Sequence, residues 1–203
     1  MLSSFFNSLL QILNLQQIKA YLDQIATISK SDWEFFTSKL QRRTFPKKTI
    51  FLELDETENY ISFIESGVVR LFIPKENPEK EITFGFSFED QFVSAYDSFL
   101  TRKPSLYQLQ ALTETTLLSI SYDDLQLVYK NTQIGNLIGR LTAERLFLIK
   151  SSREQNLLNL SAEERYLKLF KERPELLQII PLKYISSYIG VTAQALSRIR
   201  ARI

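Results

Sequence analysis

Gln194, Ser197 and Arg198 stand three or four residues apart, so on a helix they share one face, and Arg200 and Arg202 follow them. These residue types in this pattern have a definite use against a nucleic acid. An arginine bridges O6 and N7 of a guanine, and a glutamine bridges N6 and N7 of an adenine. Hydroxyls, backbone N–H groups at a helix start and further cations hold phosphates. Gln194 and Arg198 are therefore assigned to base edges. Thr192, Ser197, Arg200 and Lys183 are assigned to phosphates, and Arg202 joins the same DNA-contacting set. The plain alternative is a terminal amphipathic helix whose arginines form a solvated face, and spacing alone is compatible with both.

Other chemistries are excluded by what is missing. The 203 residues include no cysteine, which removes disulfides, thiolate metal sites and iron–sulfur clusters. They include no histidine either, which removes the commonest metal ligand, the commonest general base and every Ser-His-Asp triad. No catalytic residue and no metal site is expected, and the chain reads as a non-enzyme. A catalyst built from carboxylates, lysine or tyrosine is the remaining form an enzyme would take.

The net charge of +2 hides an asymmetry. From Ser161 onward there are eight basic and four acidic residues, so the last 43 residues carry +4 and the first 160 carry −2. After Glu175 there is no acid at all. Positive charge gathered at one end is the sequence form of a phosphate-binding surface.

The elements that would carry these residues are legible in outline. Ser161 with Glu164 three residues later is a capping box, opening a helix that stops before Pro174. Pro181 starts a short helix, "LKYISSYI", with Gly190 just past its end, and Thr192 N-caps a final helix from Ala193 to Ile203. Two short helices around a glycine turn are the form of a helix-turn-helix, with Ile185, Ile189, Val191, Leu196 and Ile199 on the inner side. Upstream, Thr132 to about Leu158 reads as one long helix with a stripe of Ile134, Leu137, Ile138, Leu141, Leu148 and Ile149. That stripe fits either a spine packed on its own domain or a two-stranded seam joining two copies, and periodicity is equally consistent with the two.

The part before it changes character twice. Phe6, Leu9, Leu10, Leu13, Ile18, Tyr21, Leu22 and Ile25 fall at helical spacing, interrupted at Asn14, and Ser31 or Asp32 would N-cap a helix carrying Trp33, Phe36 and Leu40. From about Phe45 to Ser121, short runs rich in Ile, Phe and Val alternate with the turn clusters "DETEN", "ESG" and "PKENPEK". Ile61, Phe63, Val69, Leu71 and Ile73 show period two, which predicts strands buried on one face. "SYDDLQLVYKN" then reads as a capped short helix. The fold class is α+β: N-terminal helices and an antiparallel barrel or jelly roll over 1–131, a long helix over 132–158, and a helix-turn-helix domain over 159–203. No apolar run is long enough to span a bilayer and no basic residue precedes Lys19, so neither a membrane span nor a secretory leader is expected and the location is cytoplasmic.

With these elements in place the sequence resembles the Crp/Fnr regulators, the cyclic-nucleotide-receptor type of bacterial transcription factor. The resemblance rests on Leu182, Ile185, Ile189, Gly190, Val191, Thr192, Leu196, Ser197, Arg198 and Ile199, which match that family's L-x-x-I-A-x-x-[IL]-G-[IV]-T-x-x-[TA]-L-S-R-I pattern. "SGVVRLFI" at 66–73 resembles its glycine-turn strand, "LLSISYDDLQLVY" the exit from its barrel, and "YDSFL" a phrase of its Bacteroidetes-type members. The resemblance implies a homodimer formed through the long helix, two recognition helices in successive major grooves of a palindromic operator, and contact with RNA polymerase.

It also marks departures. In the cyclic-nucleotide receptors a G-E-L motif and an arginine hold the cyclic phosphate. Here Ser94, Ala95 and Tyr96 stand at the motif and Ser105 at the arginine. Losing a charge-assisted bond from such a pocket costs about 1.5–3 kcal/mol. No cyclic nucleotide and no other cofactor is therefore expected. The effector pocket, for an unidentified effector, is placed at Ser94, Tyr96, Arg102, Ser105 and Tyr107, with Arg102 or Lys103 as the substitute cation. The family's β-hairpin wing after the recognition helix has only Ala201, Arg202 and Ile203 in its place. The competing function is a ligand-binding barrel acting through protein contacts without specific DNA binding. A cupin-type enzyme ranks last because it needs metal-binding histidines.

Overall fold

The computed structural model describes residues 15–24, 26–172, 174 and 176–202. Phe6, Leu9, Leu10, Leu13, Asn14, Ile25 and Ile203 lie outside the described residues, as do Arg173 and Glu175. Two helices, α1 (Gln16–Asp23) and α2 (Lys30–Ser38), precede strands β1 (Gln41–Phe45), β2 (Ile50–Leu52), β3 (Tyr60–Ser66), β4 (Val68–Ile73), β5 (Ile82–Phe88) and β6 (Phe92–Val93). A short helix α3 (Tyr96–Thr101) interrupts the run before β7 (Gln108–Ala111) and β8 (Thr115–Ser121). Then come α4 (Tyr122–Asn131), the long α5 (Gly135–Asn159), α6 (Ala162–Glu172), α7 (Leu176–Ile179), α8 (Leu182–Ile189) and α9 (Ala193–Arg200).

The strands form two four-stranded antiparallel sheets, ordered β1-β8-β3-β6 and β2-β7-β4-β5. Their inner faces enclose Leu52, Ile64, Val69, Val93, Leu109 and Leu117 with Phe45, Phe51 and Phe84. The outer face of the first sheet is covered as well. Ile18 and Leu22 of α1 pack on Phe63 and Leu118, and Leu125 and Val128 of α4 on Ile61 and Ile120. This corrects the one-sided burial predicted for β3: Ile61 and Phe63 lie under helices, while Ser62 and Ile64 face the interior and are buried too. Ser62 tolerates that position because its hydroxyl meets that of Ser119, its register partner on β8, at 2.8 Å.

Gly67 joins β3 to β4 at φ +101°, a conformation that L side chains rarely adopt. A Cβ there would sit 2.5 Å from Thr115 Oγ1 and 2.6 Å from the Glu114 carbonyl. Backbone strain and overlap together make Gly67→Ala destabilising by about 2–4 kcal/mol. The expected readout is a lower denaturation midpoint with an unchanged m-value.

Helix termini mostly follow their local chemistry. The capping box holds as read, with Glu164 accepting from Ser161 N–H at 2.7 Å and Ser161 Oγ from Glu164 N–H at 3.3 Å. Ser121 caps α4 by accepting from Asp124 N–H. The cap of α2, however, is Ser29 rather than Ser31 or Asp32: Ser29 Oγ accepts from Asp32 N–H at 3.1 Å. Asp32 instead reaches across the molecule to accept from Gln133 and Ile134 N–H, fixing the start of α5. That helix opens at Gly135 rather than Thr132, and α9 ends at Arg200. No helix among the described residues is long and apolar enough to cross a membrane.

The two uses considered for the α5 stripe are divided along its length. Ile138 packs toward the barrel, in the cluster of Ile18, Leu22 and Phe63, and Gly139 lies against the Tyr129 ring, where a Cβ would be 2.9 Å from the hydroxyl oxygen. Further on, large apolar side chains of the helix are exposed. Phe147 is 71% exposed, Leu148 66% and Leu158 78%. Ile138 is therefore removed from the free stripe, and Leu137, Leu148 and Ile149 remain on it with Phe147 and Leu158 added. Ile134 is the residue preceding α5, and Leu141 is half-buried.

Candidate nucleic-acid interface

The last two helices are built around one glycine. Gly190, at φ +86°, closes α8 by donating its N–H to the Ser186 and Ser187 carbonyls, and Val191 N–H returns to Ser186 at 2.9 Å. The chain then reverses into α9 at Thr192, whose Oγ1 accepts from Ala195 N–H at 3.2 Å. Leu196, Ile185 and Ile189 are fully buried between the two helices, joined by Ile199, Tyr166, Leu176 and Ile180. Burying a side chain such as Leu196 contributes about 1.5–3 kcal/mol, which holds the short helices in one arrangement.

With that face committed, the opposite one is free. Gln194, Ser197, Arg198 and Arg200 are exposed, and their side chains make no hydrogen bond or ion pair with the described residues. Gln194, Ser197 and Arg198 form one patch; Arg200, three residues beyond Ser197, extends it on the side away from Arg198. The Thr192 hydroxyl accepts the cap bond, which leaves its hydrogen available to a phosphate oxygen. Lys183 lies exposed near the start of α8 with its ammonium 4.8 Å from the Tyr184 ring centre, and Arg202 lies exposed just past α9.

The charge tally of this region overstates the basic surface, because some of the cations are used internally. Arg165 donates Nε–H to the Ile189 carbonyl at 2.9 Å and reaches the Leu160 carbonyl, clamping α8 to the end of α5. Lys168 donates to Asn156 Oδ1 at 3.0 Å. The outward-facing charge of the helix-turn-helix is thus Lys183, Arg198, Arg200 and Arg202.

The five residues assigned to an effector pocket do not converge on one cavity. Ser94 Oγ donates to the Tyr60 carbonyl. Tyr96 lines an apolar crevice with Phe36, Val128, Tyr129 and Ile138, between the barrel and α5. Ser105 is fully buried, with its hydroxyl donating to the Tyr107 carbonyl at 2.7 Å. Tyr107 donates its phenol to Asp97 Oδ1 at 2.6 Å and meets the Phe84 ring edge-on inside the barrel, and burial pushes its pKa up. Arg102, in the left-handed region at φ +57°, donates to the Glu58 carbonyl and Asn59 Oδ1 and lies over the Tyr122 ring. Its guanidinium ties α3 to the start of β3.

Two polar groups beside this region escaped the sequence reading. Glu58 is buried, accepting from Tyr60 N–H at 2.9 Å and from Ala95 N–H, at the start of α3, at 3.4 Å. Burial raises its pKa against those bonds and the Arg43 charge. Arg43 is half-buried over the Tyr60 and Phe45 rings, and burial lowers its pKa. Each has one partner two residues on, Tyr60 for Glu58 and Phe45 for Arg43, but Ala95 and, for Arg43, Tyr60 come from distant strands or loops, and it is these that local spacing does not signal. A protein carboxylate therefore faces the N–H at the head of α3.

Residues 42–132 match the family model of the cyclic nucleotide-binding domain. No curated protein matches the chain. Among solved structures, the c-di-GMP responsive global regulator CLP of Xanthomonas campestris superposes with a TM-score of 0.65 at 19% identity, over 86% of this chain and 91% of that one. A transcriptional regulator assigned to the Crp/Fnr family, from Eubacterium rectale, gives 0.67 at 15% identity over 86% and 83%. FixK2 of Bradyrhizobium japonicum gives 0.64 at 17% identity over 80% and 83%. At these identities the likeness is one of fold.

Proposed function

We propose that this chain, which carries a cyclic nucleotide-binding domain at residues 42–132 and has the fold of the Crp/Fnr regulators, is a dimeric, sequence-specific DNA-binding regulator of transcription in the cytoplasm. The observation that carries the reading is α9: a helix locked from below by Leu196 and Ile199 that leaves Gln194, Ser197, Arg198 and Arg200 outward and unpartnered. Gln194 and Arg198 read base edges, while Thr192, Ser197, Arg200, Arg202 and Lys183 hold phosphates. The exposed apolar part of α5 is the surface through which two copies join, which places two reading helices on one duplex. In vitro selection of DNA bound by the full chain tests this. The expected product is a two-fold-symmetric site whose affinity falls steeply with salt. Enrichment of no sequence would overturn it.

The barrel in this reading does not answer to a cyclic nucleotide. Its interior is filled by Ile64, Val69, Leu109, Leu117, Phe84 and Tyr107, and the head of α3 faces Glu58. A cyclic phosphate placed there would meet the buried Glu58 carboxyl, which already takes up the Ala95 N–H. Calorimetric titration with cyclic AMP at millimolar concentration is expected to show no binding heat and no change in DNA affinity.

A further inference from the structure

We infer that Arg70, Ser187 and Arg153 form a joint between the barrel and α8 that sets the direction of the DNA-reading helix before DNA is bound. Its functional meaning rests on the DNA-binding reading above; its geometry does not. β5 is the outermost strand of its sheet, and an outermost strand has backbone groups with no strand to pair with. Helix α8 supplies partners for them. Ser187 Oγ accepts from Thr83 N–H at 2.8 Å and donates to the Glu81 carbonyl at 2.7 Å, as a neighbouring strand would. From α5, Arg153 donates to the Phe84 carbonyl at 2.7 Å and the Tyr188 carbonyl at 3.3 Å, with its guanidinium 4.3 Å from the Tyr188 ring centre. One side chain thus ties the long helix, the barrel edge and α8 together.

Beneath this lies Arg70 of β4, only 1% exposed. The barrel supplies its polar partners: Thr83 Oγ1 and Glu81 Oε2 each at 2.9 Å, and Gln110 Oε1 at 3.4 Å. Its two flat faces are shared differently. Phe72 of the barrel is 4.0 Å from the guanidinium on one side, and Tyr184 of α8 is 3.7 Å away on the other. The charge is therefore held by one unit and roofed by the other, and its burial depends on their being seated together. Apolar contact alone would let α8 slide, because it has no preferred direction. Three bonds to Ser187 and Tyr188 and a ring stacked on a guanidinium do not. Since α8 and α9 share one core, the orientation passes on to Gln194 and Arg198.

These are positioning residues, so their loss should change where the reading helices sit rather than which bases they prefer. In a dimer joined through α5, the joint fixes the separation of the two helices and hence the half-site spacing. The natural chain has no cysteine. Spin labels at Lys47→Cys and Lys171→Cys, in full-length protein diluted with unlabelled chain, therefore report the barrel-to-helix distance directly. We expect a narrow distribution that broadens in a Ser187→Ala/Tyr184→Leu variant. Arg70→Met, which risks misfolding, is the second variant, and Arg70→Lys should not rescue it because an ammonium lacks the planar fork.

The second arm moves the half-sites of the selected DNA apart by one or two base pairs. The parent protein should lose at least about tenfold in affinity, and the joint variant less than about threefold, with unchanged base preferences within each half-site. An unchanged distance distribution in the variant, or an equal spacing penalty for both proteins, would overturn the inference. The distance arm uses no DNA, so a chain that binds none would sink the functional reading while the joint is still decided by the labels.

Discussion

Arg198→Ala is expected to weaken binding of the selected operator by between about 30-fold and 10⁴-fold, because a dimer loses two bidentate base contacts worth about 1–3 kcal/mol each. The size follows from where Arg198 stands. It is exposed, unpaired within the chain and held on a helix whose opposite face is fully committed to the core, so the substitution removes a contact without disturbing the fold. Two companions separate base reading from general attraction. Arg198→Lys keeps the charge and loses the fork, and should recover only the salt-dependent part. Arg200→Ala should lower affinity for all sequences alike and reduce the salt slope by about one per subunit. Fluorescence anisotropy at several salt concentrations reads all three. An Arg198→Ala protein that binds like the parent would refute the recognition-helix assignment.

Leu148→Glu carries the other large expectation. Leu148 sits beside Phe147 and Ile149 in the middle of α5, and all three are exposed in the single chain. If two copies meet there, the substitution removes two buried leucines at about 1.5–3 kcal/mol each and puts two carboxylates in an apolar seam. The association constant should fall by more than about 10²-fold. Sedimentation should then show a monomer at concentrations where the parent is a dimer, and operator binding should fall with it. Ile138→Ala is the matched control. Ile138 packs on the chain's own barrel, so that change should lower the melting temperature and leave the mass alone. A Leu148→Glu protein that stays dimeric would move the interface elsewhere.

What could be read from the sequence was whatever is decided within a few residues. The capping box at Ser161 and Glu164, the glycine closing α8 and the threonine opening α9 are contacts at separations of three or four, and they stand where the letters placed them. The strands were legible as runs, but β3 and β8 are buried on both sides, so alternation understated their burial. Ser29 was missed as the cap of α2 because Ser31 and Asp32 are equally good cap residues, and Asp32 is claimed by Gln133 and Ile134. The side chains assigned to a pocket take partners that act at longer range. Arg102 looked like a free cation, and its partners Glu58 and Asn59 lie more than forty residues away. Arg70 carried no signal, since one arginine in a strand gives no hint that a helix near the other end of the chain will roof it.

The covering of β5 by α8 has a further bearing, on how the barrel would behave by itself. The bonds that Ser187 makes to Thr83 and Glu81 are of the kind that another chain's strand could make equally well, and Phe86 and Phe88 lie under the same roof. A barrel severed from its terminal helices would offer a ready template for strand-to-strand polymerisation, with Ile82 already 44% exposed beside it. The terminal helices thus also cover the edge through which the barrel would aggregate, and a truncated barrel fragment should be a poor substitute for the whole chain in solution.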